Sequence, residues 1–186
     1  GTSQGEIAVV GDFDPIAVKA QLEQLFAGWK APAAYAPMST HYTDTKAKRA
    51  SFTTPDKPNA VLVARQNLSL NLVDPDFPAL SIATSILGGD PLKARLADRI
   101  RQKEGLSYGV TAALRADESR QGRDDDGYLT IQAIAAPQNM DKVETAVREE
   151  LARLVKDGIT EQELRDAVQA KLVAREQSRA QDGAVA

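Results

Sequence analysis

Apolar positions along the chain follow two rhythms, and the switches between them mark out the elements. Ile7-Ala8-Val9-Val10-Gly11 is a short apolar run of strand type. Asp12-Phe13-Asp14-Pro15 follows as a turn in which Asp14 caps a helix and Pro15 takes the first helical position. That helix is predicted to run to about Ala27, with Ile16, Val18, Leu22, Leu25 and Phe26 turned to a core and Trp29, beyond Gly28, closing its end. From 30 to 47 the period is lost among Pro32, Pro37, alternating alanines and scattered polar groups, as in a connector crossing the surface. Residues 49–54 and 60–67 read as strands around the turn-rich Pro55-Asp56-Lys57-Pro58-Asn59. Helical spacing returns from Asp74-Pro75-Asp76 to about Leu87, with Gly88-Gly89 as its stop, and Asp90-Pro91 repeats the cap-and-proline device for a second helix. Residues 106–116 and 128–136 are strands around an exposed loop at 117–127. An amphipathic helix follows from 139 to 156, and Gly158 stops it. Thr160 and Glu163 then form a capping box for a last helix reaching about residue 180.

This order predicts an α+β fold, with helices packed mainly on one face of a largely antiparallel sheet. Residues 1–5 are expected to be a tag or linker, 6–180 a single domain and 181–186 a tail; Gly1-Thr2-Ser3-Gln4-Gly5 is no signal peptide, and the chain reads as a piece of a longer protein. At 186 residues and 42% apolar, it is long enough for a substantial core. A net charge of −3 argues against a nucleic-acid partner, which requires a concentrated basic field. No apolar run approaches the roughly 20 residues of a membrane helix. The absence of cysteine excludes disulfides and thiolate metal sites but leaves the compartment open. The acidic run ending Asp124-Asp125-Asp126 lacks the spaced oxygen donors and distal glutamate of a calcium loop, so a solvated hairpin tip is expected there. The sole histidine, His41, falls in the connector, where an exposed, non-ligating place is expected.

The densest chemistry lies in residues 94–110, which read as a helix, a glycine stop and a strand. On a wheel of about 100° per residue, Leu92, Leu96 and Ile100 form one stripe and Arg101 lies about 140° away, off the core. Gly105 in the left-handed region would let Leu106 fold back on Ile100 in a Schellman ending, fixing where the strand departs and so where Tyr108 sits relative to Arg101. A guanidinium fork and a phenol both donate hydrogen bonds and suit a carbonyl or carboxylate better than proton shuttling. The same spacing equally allows a plain surface role, in which Arg101 pairs with an acid and Tyr108 packs beside Leu106 and Val110 on one strand face.

Several motifs recur in a family order. Val9-Val10-Gly11-Asp12-Phe13-Asp14 precedes a helix and Phe26-Ala27-Gly28-Trp29, and Leu87-Gly88-Gly89 precedes Ala94-Arg95-Leu96. Arg101-x-x-x-Gly105-Leu106-x-Tyr108 comes next, then Gly158-Ile159-Thr160-x-x-Glu163-Leu164. Over about residues 6 to 180 the chain resembles the C-terminal, non-zinc half-domain of insulinase/pitrilysin-type zinc metallopeptidases, of a bacterial, processing-peptidase-like kind. The resemblance implies the fold of LuxS and the processing peptidases, with Arg101 and Tyr108 binding peptide substrate and Gly105, Gly88 and Gly89 serving structure. It implies no catalytic residue and no metal in this chain, because the family's zinc centre is built around H-x-x-E-H, which is missing here. Zinc would then sit in a complementary half-domain, in the same or a partner polypeptide, and this half would close the chamber over peptides or unfolded chains. The compartment it suggests is periplasmic or secreted. A scaffold or assembly domain of an inactive relative is the alternative. A free-standing ligand-binding module is a third reading, without a glycine-rich phosphate loop or nucleophile elbow to support it.

Overall fold

The computed structural model describes residues 5–33, 35–36, 38–90, 93–118, 123–181 and 183. In chain order its elements are α1 (Pro15–Phe26), β1 (Ala60–Ser69), α2 (Phe77–Thr84), a π-helical turn (Ser85–Gly89), a second π-helical segment (Ala97–Lys103), β2 (Ser107–Arg115), β3 (Asp126–Ala135), a short 3-10 turn (Pro137–Asn139), α3 (Met140–Asp157) and α4 (Glu161–Ser178). They divide into two compact units, one of Gly1–Met38 with Ala170–Ala186 and one of Ser39–Gln169; the division falls within α4.

In the unit of Ser39–Gln169, β2 and β3 form an antiparallel hairpin and β1 lies antiparallel on the other side of β3, giving the order β1-β3-β2. Pairing sets the two faces. Leu62 and Ala64 align with Ala133 and Ile131, which align in turn with Val110 and Ala112, and this face is lined by the core. Leu87 of the first π turn, Leu96 and Ile100 around the second, and Val143, Ala146 and Val147 of α3 all close on it. Each fully buried leucine or isoleucine contributes about 1.5–3 kcal/mol. The fold is therefore the expected α+β arrangement, with the helices of this unit on one face. The opposite sheet face carries Val61, Val63, Arg65 and Ile134 in the open.

Several expected elements differ. The helix predicted to stop at Gly88-Gly89 instead widens into the π turn, and neither glycine has a positive φ. Gly88 is needed for close approach: a Cβ there would lie 2.6 Å from the Ala112 nitrogen and 2.7 Å from the Ala112 Cβ. Asp90 caps the following turn as expected, its carboxylate accepting from the Lys93 amide at 3.0 Å, while Pro91 and Leu92 lie outside the described residues. Residues 7–11 and 49–54 are not strands, since neither run joins a ladder; Phe52 is exposed, and Arg49 instead ties its segment to Glu144 of α3 at 3.1 Å. In the other unit, Asp14 caps α1 through the amides of Ile16 and Ala17, and Trp29 stacks on Phe26 with ring centroids 5.1 Å apart. The apolar residues of α1 do not enter a core; Ile16 is 81% exposed.

The acidic loop is more than a solvated tip. Asp124 is buried and accepts the Thr40 amide at 3.1 Å, while Asp125 accepts the Tyr42 amide at 2.9 Å and the Ser69 hydroxyl at 2.6 Å. The Ser69 hydroxyl and the Tyr42 amide hold the Asp125 carboxyl below its ordinary range. Asn67 donates to the Thr43 carbonyl at 3.2 Å, so residues 40–43 of the expected connector are clasped to the sheet unit.

Candidate functional site

The corner at 101–109 is shaped by two departures from regular geometry. In the second π-helical segment the Glu104 amide donates to the Arg99 carbonyl, five residues back, and the Leu106 amide reaches the Ile100 carbonyl at 2.8 Å, six residues back. An ordinary Schellman ending closes one residue tighter. Gly105 nevertheless takes the left-handed conformation the sequence predicts, with φ of 61°, and nothing lies within 4 Å of where its Cβ would be. Asn139 donates to the Leu106 carbonyl at 3.3 Å and pins the outgoing chain.

The second departure is a β-bulge. Ser107 pairs with Ala135 and Gly109 with Ile134, so Tyr108 is an extra residue with no partner of its own across the ladder. The buried Ser107 hydroxyl fills the gap, lying 2.8 Å from the Gly109 carbonyl and 2.7 Å from the Ile134 carbonyl and accepting the Gly109 amide at 3.1 Å. Bulges re-aim side chains, and this one breaks the alternation that would have set Tyr108 with Leu106 and Val110. Val110 is buried while Tyr108 is 72% exposed. Packing of Tyr108 beside Val110 is thereby excluded. Arg101 is exposed on the last turn of the π-helical segment.

Two arginines fix that segment. Arg95 grips Glu163 through two parallel bonds, Nε to Oε1 at 2.6 Å and Nη2 to Oε2 at 2.8 Å, and also donates to the Gly158 carbonyl at 2.9 Å. Glu163 closes the predicted capping box, accepting the Thr160 amide at 2.7 Å, while the Thr160 hydroxyl accepts the Glu163 amide at 3.2 Å. Arg95 is the main cause, with the Thr160 amide and hydroxyl adding, that the Glu163 carboxyl is pulled down to about 2 against the cost of burial. Arg99 donates to Glu104 at 2.9 Å, to Glu149, and to the buried Glu150 at 3.3 Å, joining the segment to α3. Its bonds to Glu104 and Glu149 push its own titration further upward. Arg95 and Arg99 stand four residues apart on a helix opposite acidic helices, a spacing that could have been read as one charged face. Ser107 offered no such signal, because a bulge is a property of pairing.

Among the described residues the donor set does not fit a zinc centre. Its one histidine, His41, is exposed, with Nδ1 3.5 Å from an Asp125 oxygen, and among the described residues no group of histidine, aspartate and glutamate is placed to hold a metal ion. No described helix is long and apolar enough to cross a membrane. Chemically, the corner offers a guanidinium and a phenol in solvent at the junction of a braced helix end and a strand, both hydrogen-bond donors suited to carbonyl or carboxylate oxygen.

The sequence model of the Peptidase M16 inactive domain matches residues 4–171. Over 89 residues the chain is 38% identical to an uncharacterized zinc protease of Mycobacterium leprae, a match taking in 48% of this chain and 18% of that protein. The crystal structure of a peptidase M16 inactive domain from Pseudomonas fluorescens superposes with a TM-score of 0.66 at 24% identity, covering 87% of this chain and 37% of that one. A protease from Helicobacter pylori shares the fold with a TM-score of 0.77 at 17% identity, covering 95% of this chain and 41% of that one. The chain thus spans less than half the length of each of these relatives. Matched by the family's sequence model over most of its length and sharing its α+β fold, the chain belongs to the peptidase M16 inactive-domain family of insulinase-like zinc metallopeptidases.

Proposed function

We propose that this chain is the substrate-binding, chamber-closing half of a zinc-dependent metallopeptidase that hydrolyses peptides or unfolded chains, and that it is not catalytic alone. The observation that carries this reading is the bulge at Ser107–Gly109, which turns Tyr108 out into solvent, while Arg101 is exposed on the π-helical segment that leads into the same strand. A side chain presented this way, on a backbone held by Ser107, Asn139, Arg95 and Arg99, is preorganised to donate rather than to pack. The likeness to a zinc protease of Mycobacterium leprae supports a role in proteolysis. With no fitting donor set here, the zinc belongs to a complementary half-domain, in the same or a partner polypeptide. In that setting Arg101 and Tyr108 hold the backbone carbonyls of the peptide, and their contribution grows as charge develops on the carbonyl under attack.

The test is the turnover of the complete protease carrying Arg101→Ala or Tyr108→Phe, with melting temperature and zinc content as controls. Losing one donor to the reacting carbonyl costs about 2–4 kcal/mol of transition-state stabilisation, so kcat/KM should fall roughly a hundredfold in each variant. An effect confined to KM assigns the residue to a remote part of the peptide. Unchanged activity in both variants refutes the substrate-binding role and leaves a scaffold or assembly domain.

A further inference from the structure

The capping residue of α3 is committed elsewhere. An asparagine at a helix N-cap ordinarily accepts the second or third helical amide on its side-chain oxygen. Asn139 holds that position, yet among the described residues its side chain takes no bond from the first amides of α3. The cause is local. Asn139 also ends the 3-10 turn Pro137–Asn139, so its backbone is already helical, with φ of −94° and ψ of −8°, where side-chain capping calls for an extended residue. The freed side chain crosses 33 residues of sequence to donate through Nδ2 to the Leu106 carbonyl at 3.3 Å.

A second hold follows at the next residue. The Ser107 hydroxyl has one proton and two carbonyl oxygens within reach, Gly109 at 2.8 Å in its own strand and Ile134 at 2.7 Å in β3. Given to Ile134, the proton ties β2 to β3 at the point where Tyr108 leaves the ladder unpaired. Both holds therefore come from one short stretch, residues 134–139, where β3 turns into α3. A peptide unit is planar and rigid, so fixing the Leu106 oxygen fixes the plane entering Ser107, and fixing the Ser107 side chain limits the rotation beyond it. Little freedom is left in the backbone that delivers Tyr108, a residue with no ladder partner of its own and 72% exposed.

We propose that Asn139 and Ser107 are positioning residues for peptide hydrolysis that act through Tyr108: the side-chain amide of Asn139 and the hydroxyl of Ser107 hold the phenol where it meets the substrate carbonyl. The proposal rests on the reading that Tyr108 contacts substrate, and it adds the two groups that aim it. Ser107 is buried and both groups are turned to backbone carbonyls of this chain, so neither meets the peptide. Their effect falls on the chemical step, because a donor displaced by about 1 Å loses much of its value in the transition state while the rest of the peptide still binds.

The test is a double-mutant cycle in the complete protease, with Asn139→Asp and Ser107→Ala each made alone and in the Tyr108→Phe background. Asn139→Asp keeps the shape of the side chain and removes its donor. An acid at the start of α3 also suits the helix dipole, so Tm should hold or rise in this variant while activity falls. Each single variant should lower kcat about tenfold, part of what a displacement of about 1 Å can cost, with KM within about twofold of wild type. In the Tyr108→Phe background neither should lower kcat further, since the hydroxyl they aim is gone. Equal losses in both backgrounds indicate a purely structural role and overturn the proposal. A wild-type kcat in either single variant overturns the part assigned to that residue, as does a loss confined to KM. Impaired turnover in Tyr108→Phe with full activity in Asn139→Asp and Ser107→Ala removes this inference alone, whereas wild-type turnover in Tyr108→Phe removes the proposed role of Tyr108 and this inference with it.

Discussion

Glu163→Gln is the sharpest test of how the corner is braced, because it keeps the shape of the side chain while replacing an acceptor of four bonds with a half-donor. The carboxylate takes two bonds from Arg95 and two from Thr160, and its ordinary 4.5 is pulled down to about 2. At about 1.36 kcal/mol per pH unit, a depression of that size corresponds to at most about 3 kcal/mol. The side chain is 29% exposed, and solvent screening reduces this to about 1–2 kcal/mol. Glu163→Gln should therefore lower Tm by about 4 °C at neutral pH for a chain of this size. Because the folded carboxyl titrates lower than the unfolded one, its contribution is fully present above about 4.5 and drains away as pH falls toward about 2, where the folded state also takes up the proton. Urea unfolding of both proteins at pH 7, 5, 4 and 3 isolates the effect, since the other carboxylates titrate in both. The gap in stability should be full at pH 7 and 5 and shrink steadily below. No gap at pH 7, or a gap as large at pH 3 as at pH 7, refutes the reasoning.

Other outcomes follow from the same geometry. Gly88→Ala drives a methyl into the Ala112 backbone and should cost about 1–3 kcal/mol by thermal melting, as overpacking does. Gly105→Val should cost on the order of 1 kcal/mol or more while Gly105→Asn is nearly neutral, because the strain lies in the positive φ and not in lack of space; equal midpoints for the two would contradict this. Ser107→Ala should cost about 1–2 kcal/mol and shift the amide resonances of Tyr108 and Gly109, the signature of a relaxed bulge. After dialysis the chain should retain no stoichiometric zinc, and one tightly held ion per chain that is lost on His41→Ala would show the donor set to have been misjudged.

What the sequence made legible was governed by local chemistry. Asp14, Asp90, Thr160 with Glu163, Gly105 and Gly158 each carry the residue type that a cap or stop demands, and each does that work in the structure. The run at 60–67 was legible as a strand, but which of its faces is buried came only from the structure. What stayed hidden was non-local. The Arg95 partner of Glu163 is 68 residues away, the clasp of Asp124 on Thr40 spans 84, and the bulge at Tyr108 exists only relative to β3. Residues 7–11 and 49–54 have the composition of strands but no neighbour to complete a ladder, and β propensity measures fit to such a neighbour more than a backbone preference. Arg101 and Tyr108 stand out in the sequence only through the motif around Gly105, and the outward bearing of Tyr108 needed the register.

The π-helical segment at Ala97–Lys103 makes the bearing of Arg101 a matter of counting. A wide turn of this sort holds one more residue than the α-helical turn it replaces, so its geometry is stored in chain length and not in any side chain. Removing a single residue between 97 and 100 would let the ladder relax to the ordinary repeat and swing whatever follows by about 100° around the axis. A deletion there would leave the composition of the corner intact while turning its guanidinium toward a different neighbour. Among relatives of this chain, the number of residues separating Leu96 from Gly105 should therefore vary less than their identities do.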